Sequence, residues 1–233
     1  MTASNATTGH FSPETVAFLS ELAAHNDRAW FAENKPRYEQ CVREPALAFI
    51  TAIGPGLARI SRHFVANARR SGGSLMRIYR DTRFSKSKLP YKTNIGIQFR
   101  HALGRDVHAP GFYVHIEPGD CFIGAGIWRP DGDALDAIRA RIADAPHAWR
   151  RARDAKTLTT QFELAGESLK RMPRGYAPDL PMAADIRRKD FIAVAGYEIG
   201  DITEPEFTEY VLARFRDAKP LVRFLCAALA LEF

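Results

Sequence analysis

The residues best suited to chemistry crowd into one stretch: Arg77, Arg80, Arg83, Lys86, Lys88 and Lys92, six cations within sixteen residues, with Asp81 as the one acid among them. Like charges this close repel unless solvent, distant carboxylates or a bound anion answers them. Arginine offers a planar fork matched to carboxylate and phosphate oxygens, and lysine adds mobile point charge. Thr82, Ser85, Thr93 and Asn94 add neutral donors, and Tyr79, Phe84 and Tyr91 offer rings that stack on a base or an aromatic ligand. Three readings stay open: a pocket for a small phosphorylated or carboxylated ligand, a surface for nucleic-acid phosphates or an acidic protein, and a solvated charged face. The glycine pattern of a Walker A or dinucleotide-binding loop is absent from the sequence.

Three residues are candidates for proton transfer beside such an anion: Asp81, His115 and Glu117. Asp81 serves equally as an ion-pair partner that arranges Arg80 and Arg83, and the structural role is preferred because no nucleophile or second acid stands at a known spacing. The alternation expected of a strand puts His115 and Glu117 on one face, where a hydrogen-bonded pair is the plainer reading. One histidine and one glutamate are too few to hold a metal, and the seven histidines show no ligand spacing, so neither metal nor cofactor is expected. Whether turnover follows binding is left open. Lys170, Arg171 and Arg174, with Arg187-Arg188-Lys189, form further basic runs, expected to meet the first across one cleft.

The whole chain carries +6 and a pI near 9.4. From Arg69 to Arg100 there are nine basic residues and one acid, a local +8, so the remainder of the chain (+6 less +8) is −2. Anionic partners are therefore expected at one place. Cys41, Cys121 and Cys226 are odd in number and far apart, which suits neither a disulfide framework nor a thiolate zinc site and points to a reducing cytoplasm. No apolar run is long enough to span a bilayer, so no membrane partner is expected. At 233 residues and 46% hydrophobic composition the chain reads as one globular domain over 11–233 behind a loose tail at 1–10.

The elements that must position these residues follow from periodicity. Ser12 and Pro13 open a helix through Val16, Leu19 and Leu22, with Phe11 stapling onto Val16. Arg28 to Asn34, a stretch from Pro36, and a run through Leu47, Ile50, Ile53 and Leu57 continue a helical quarter that Gly54-Pro55-Gly56 is expected to bend. Trp30, Phe31 and Tyr38 read as core. Alternation from Leu75 to Tyr79 and from Ile95 to Phe99 predicts two strands flanking the basic loop. Phe112, Val114 and Ile116 alternate with Tyr113, His115 and Glu117; Pro118-Gly119-Asp120 then turns the chain into Cys121 to Trp128. Such a hairpin sets His115 opposite Phe122 and Tyr113 opposite Gly124, leaving space beside a polar strand face. Helices over Asp133 to Ala145 and from Glu204, the latter broken at Pro220, complete a mixed α+β domain: a largely antiparallel sheet packed by N- and C-terminal helices.

Taken together, Trp30-Phe31, Asn34-Lys35 and Tyr38, then Arg80-Asp81-Thr82-Arg83-Phe84-Ser85-Lys86, Pro90-Tyr91-Lys92-Thr93-Asn94, Gly111 to Gly119, and Leu169-Lys170-Arg171 through Gly175-Tyr176 resemble the bacterial and fungal family catalogued as domain of unknown function 2461. The resemblance covers the chain from Phe11 onward. It implies a single complete domain and assigns no activity. Ser87 stands where many members carry an acid, which removes a second carboxylate from the loop.

Overall fold

The computed structural model describes residues 9–81, 83, 88–104 and 109–233. The expectations for the tail up to Thr8 and for Thr82, Phe84, Ser85, Lys86 and Ser87 lie outside the described residues.

The N-terminal quarter is helical: α1 spans Pro13–Ala24, α2 Arg28–Tyr38 and α3 Glu44–Ile60, with a π-helical turn over Glu39–Arg43 joining the last two. Asp27 caps α2 by accepting from the Ala29 and Trp30 amides. Phe31 and Tyr38 are buried and Trp30 packs against the core. Phe11 lies 5.8 Å from Phe49 of α3 and 6.2 Å from Phe207, tying the entry of α1 to elements from both ends of the chain. Helix α3 runs unbroken through Gly54-Pro55-Gly56. Gly56 is buried there because Leu212 leaves no room for a Cβ.

Five strands follow: β1 Ile95–Arg100, β2 Gly111–Ile116, β3 Phe122–Ile127, β4 Glu163–Ala165 and β5 Phe191–Gly196. They form one antiparallel sheet in the order β1-β2-β3-β5-β4. The predicted strand from Leu75 to Tyr79 is reduced to isolated bridges, Leu75 to Ile97 and Tyr79 to Tyr91. Here the segment packs on α2: Tyr79 meets Phe31 edge-on at 6.4 Å and Tyr91 stacks on it at 4.1 Å. Helices α4 (Gly132–Asp144), α5 (Pro146–Arg153), α6 (Lys156–Thr159) and α7 (Ala183–Ile186) separate β3, β4 and β5. The chain closes with α8 (Phe207–Asp217) and α9 (Lys219–Ala228), parted at the junction where Pro220 stands.

Alternation places Ile95, Ile97, Phe99, Phe112, Val114, Ile116, Ile123, Ile127, Phe191 and Ala193 on one sheet face, and all are buried beneath helices. Phe215 of α8 stacks on Phe112 at 4.6 Å and meets Phe99 edge-on at 5.7 Å. The opposite face carries no helix-packed core, and it is there that the candidate site lies. No helix among the described residues is long and apolar enough to cross a membrane.

Candidate functional site

Strand register assembles the open face in rows. Gln98, Tyr113, Gly124 and Val194 align across β1, β2, β3 and β5; one row on are Gly96, His115, Phe122 and Gly196; the row on the other side is Arg100, Gly111, Gly126 and Ile192. The predicted oppositions of His115 with Phe122 and Tyr113 with Gly124 are therefore the observed ones. The rows enclose a trough of about 330 Å³ walled by Met76, Tyr113, Phe122, Trp128, Ile192 and Val194.

Glycine hollows this trough for two different reasons. Gly126 has φ +119°, and a Cβ there would stand 2.1 Å from the Phe191 carbonyl oxygen, so the backbone requires glycine. Gly124 has no such constraint. A Cβ on it would meet its nearest neighbour, Cβ of Tyr113, at 3.5 Å, an ordinary contact, in a strand where glycine costs stability.

At one end of the trough the polar groups converge. The Tyr113 hydroxyl is 3.1 Å from Nδ1 of His115, and the carboxamide nitrogen of Asn94 is 3.4 Å from the same atom. Nε2 of His115 is 3.2 Å from Oε2 of Glu117, whose other oxygen accepts from the Thr93 hydroxyl. The imidazole stacks on Phe122 with centroids 4.6 Å apart and planes 9° from parallel. The Tyr197 hydroxyl donates to the His115 carbonyl at 2.7 Å and fixes the strand end from the segment after β5. Burial, followed by the charge of Glu117, pushes the Tyr113 phenol up to about 12, so at neutral pH it keeps its proton. Asp120, returned by the Pro118-Gly119 turn, brings a carboxylate oxygen to within 4.8 Å of the His115 and Glu117 ligand atoms.

The basic segment divides around this centre. Its end, Thr93 and Asn94, touches the His115–Glu117 pair. Lys92 is half-buried, and burial followed by repulsion from Arg77 and Arg80 lowers its pKa. Of the two arginines expected to share Asp81, Arg83 pairs with it at 2.7 Å, because the two-residue spacing lets the carboxylate take both the Arg83 amide and the guanidinium. Those bonds hold the Asp81 carboxyl down to about 2, which makes it a poor general base. Arg80 is half-buried, and among the described residues no carboxylate lies within ion-pair reach of it.

Arg80, Lys88 and Tyr79 line a second, shallower recess with Asn26, Asp27 and Arg28 at the start of α2. The Asp27 carboxylate already answers the α2 amides there. Tyr91 also lines this recess and is mostly core: buried, stacked on Phe31 at 4.1 Å, and bonded through its backbone in both directions to Asn26.

The second basic region does not join this one. It leaves the sheet beyond β4, at the far edge from β1 and with three strands between. Arg188 pairs with buried Asp185 and Lys189 with Glu167, while Lys170 and Arg171 are exposed. Charge alone carries no information about which edge of a sheet a loop occupies. Arg100, missed as a site residue, projects from the trough's own face, half-buried and without an ion-pair partner among the described residues. Its signal was the i+2 spacing from Gln98 on a strand.

A family model described as conserved hypothetical protein (DUF2461) matches residues 14–224. The chain belongs to the DUF2461 family. No curated protein and no solved structure matches it. The family description assigns no activity, and the reading of this DUF2461 protein's site rests on geometry.

Proposed function

We propose that this DUF2461 protein binds a small organic acid, a carboxylate or phosphate with an apolar or aromatic body, in the trough of the open sheet face. The observation that carries this reading is Gly124, a mid-strand glycine that neither backbone nor neighbours require and whose missing side chain is the space available to a ligand. Aromatic and aliphatic walls suit the ligand body. Arg100 supplies a charge-assisted anchor one row away, and the Tyr113 hydroxyl supplies a neutral donor. The local +8 of residues 69–100 raises the concentration of anions at this edge of the sheet.

The test is a thermal-shift panel of aromatic and aliphatic carboxylates and phosphates, since a ligand that binds only the folded state raises Tm saturably. Gly124→Val should fold with unchanged or higher Tm and lose every shift. Arg100→Ala should lose the shift for acids while keeping it for uncharged analogues. Full shifts in Gly124→Val would remove the trough as the site. Silence across the panel, with oligonucleotide binding that weakens linearly in log salt, would hand the function to the basic segment as a nucleic-acid surface.

A further inference from the structure

We propose that His115, Glu117 and Asp120 form a binding site for a divalent cation, with Mn²⁺ and Zn²⁺ the fitting candidates. This goes beyond the ligand reading and does not depend on it. Three donor atoms, one nitrogen from the end of β2 and two oxygens from the turn that follows it, lie within 4.8 Å of one another. The 3.2 Å between Nε2 of His115 and Oε2 of Glu117 matches the edge of a tetrahedron or octahedron with metal bonds near 2.1 Å, about 3.0–3.4 Å. Asp120 is the adjustable third arm. It is exposed, and its backbone amide is fixed to the Glu117 carbonyl at 2.9 Å, so the turn is set while the carboxylate is free to close.

The groups behind the donors supply a second, independent argument. Metal-bound imidazoles characteristically engage their other ring nitrogen, which fixes the tautomer and the ring direction. Here Nδ1 of His115 faces the Tyr113 hydroxyl and the Asn94 side chain, Thr93 holds the outer oxygen of Glu117, and Tyr197 pins the His115 carbonyl. Phe122 stacks against the ring and restricts its rotation. A ligand set held from behind this fully exceeds what one partly exposed His–Glu hydrogen bond needs. A mixed nitrogen and carboxylate set selects borderline and hard cations over those that require thiolate. Three protein ligands leave positions open to water on the side of the trough, which His115 also lines.

Calorimetric titration of the chelator-treated full chain with Mn²⁺ and with Zn²⁺ tests this. The expected result is one site per chain. Asp120→Asn, an exposed change that leaves the fold in place, should weaken binding tenfold or more. His115→Asn should abolish it, and Gly124→Val should leave it intact even as it blocks the trough. Tyr113→Phe, which removes only an outer partner, should weaken binding by less than Asp120→Asn. Absence of binding at millimolar Mn²⁺ and Zn²⁺, or an affinity unchanged in Asp120→Asn, would overturn the assignment.

Discussion

Asp190 is a short side chain with two obligations. It is buried, and its two carboxylate oxygens accept from the Arg129 amide at 2.8 Å and the Glu167 amide at 2.9 Å, joining the chain after β3 to the turn after β4. Asp190→Ala strands both amides, each costing about 1–3 kcal/mol when left unpaired. A loss of about 2–4 kcal/mol is expected, read as a fall in Tm on the order of 10 °C by calorimetry. Asp190→Asn keeps one acceptor and should lose roughly half as much. At this scale the sequence was a partial guide. The His115–Glu117 face was legible because strand alternation has a fixed period. Asp120 and Arg100 were not, because their relevance depends on a turn's curvature and on which strand lies alongside. Of the two arginines expected to share Asp81, Arg83 alone pairs with it, since the two-residue turn lets one carboxylate take both its amide and its guanidinium.

Among elements, the helical run from Arg28 to Ile60 shows how a sequence conflict is settled by a neighbour. Pro45 has no amide to offer the Cys41 carbonyl four residues back, and the buried Thr15 hydroxyl of α1 donates to that oxygen at 2.6 Å instead. Thr15→Val should therefore cost about 1–2 kcal/mol by removing the donor to a half-buried carbonyl. Pro45→Ala restores a backbone amide there, so in the double variant part of the loss should return. Urea melts of the four proteins make a thermodynamic cycle, and simple additivity would sink the account. The β2–β3 hairpin was readable down to its register, since its turn and both alternating patterns are local. The stretch from Leu75 to Tyr79 forms isolated bridges where a full strand is expected: its alternation is genuine, yet Tyr79 packs on Phe31 of α2, a helix far away in sequence.

For the whole molecule, charge distribution gives a prediction at alkaline pH. The folded pKa of Lys92 lies below the ordinary 10.5, chiefly from burial and then from Arg77 and Arg80. Folding is thus penalised while Lys92 is charged in both states, and the penalty fades as pH rises through the folded pKa towards the unfolded one. Lys92→Met should be more stable than the parent at pH 7, and its advantage should shrink as pH approaches 10.5, measured as the difference between paired urea midpoints. An advantage constant with pH would show that charge is not its origin. The overall α+β arrangement was legible because helical and strand periods segregate along the chain. The single composite cleft was not, because sheet order is a non-local property: β5 returns to pair with β3, placing the later basic run beyond the far edge. That same order has a kinetic consequence. Strands β1 to β3 form a meander joined by short connections whose closure costs little entropy. Joining β5 to β3 requires bringing together segments more than sixty residues apart, Ile127 and Phe191. The meander can therefore condense as the folding nucleus with β5 arriving late, and the trough, which needs Val194 and Ile192 for its far wall, is among the last features of the molecule to exist.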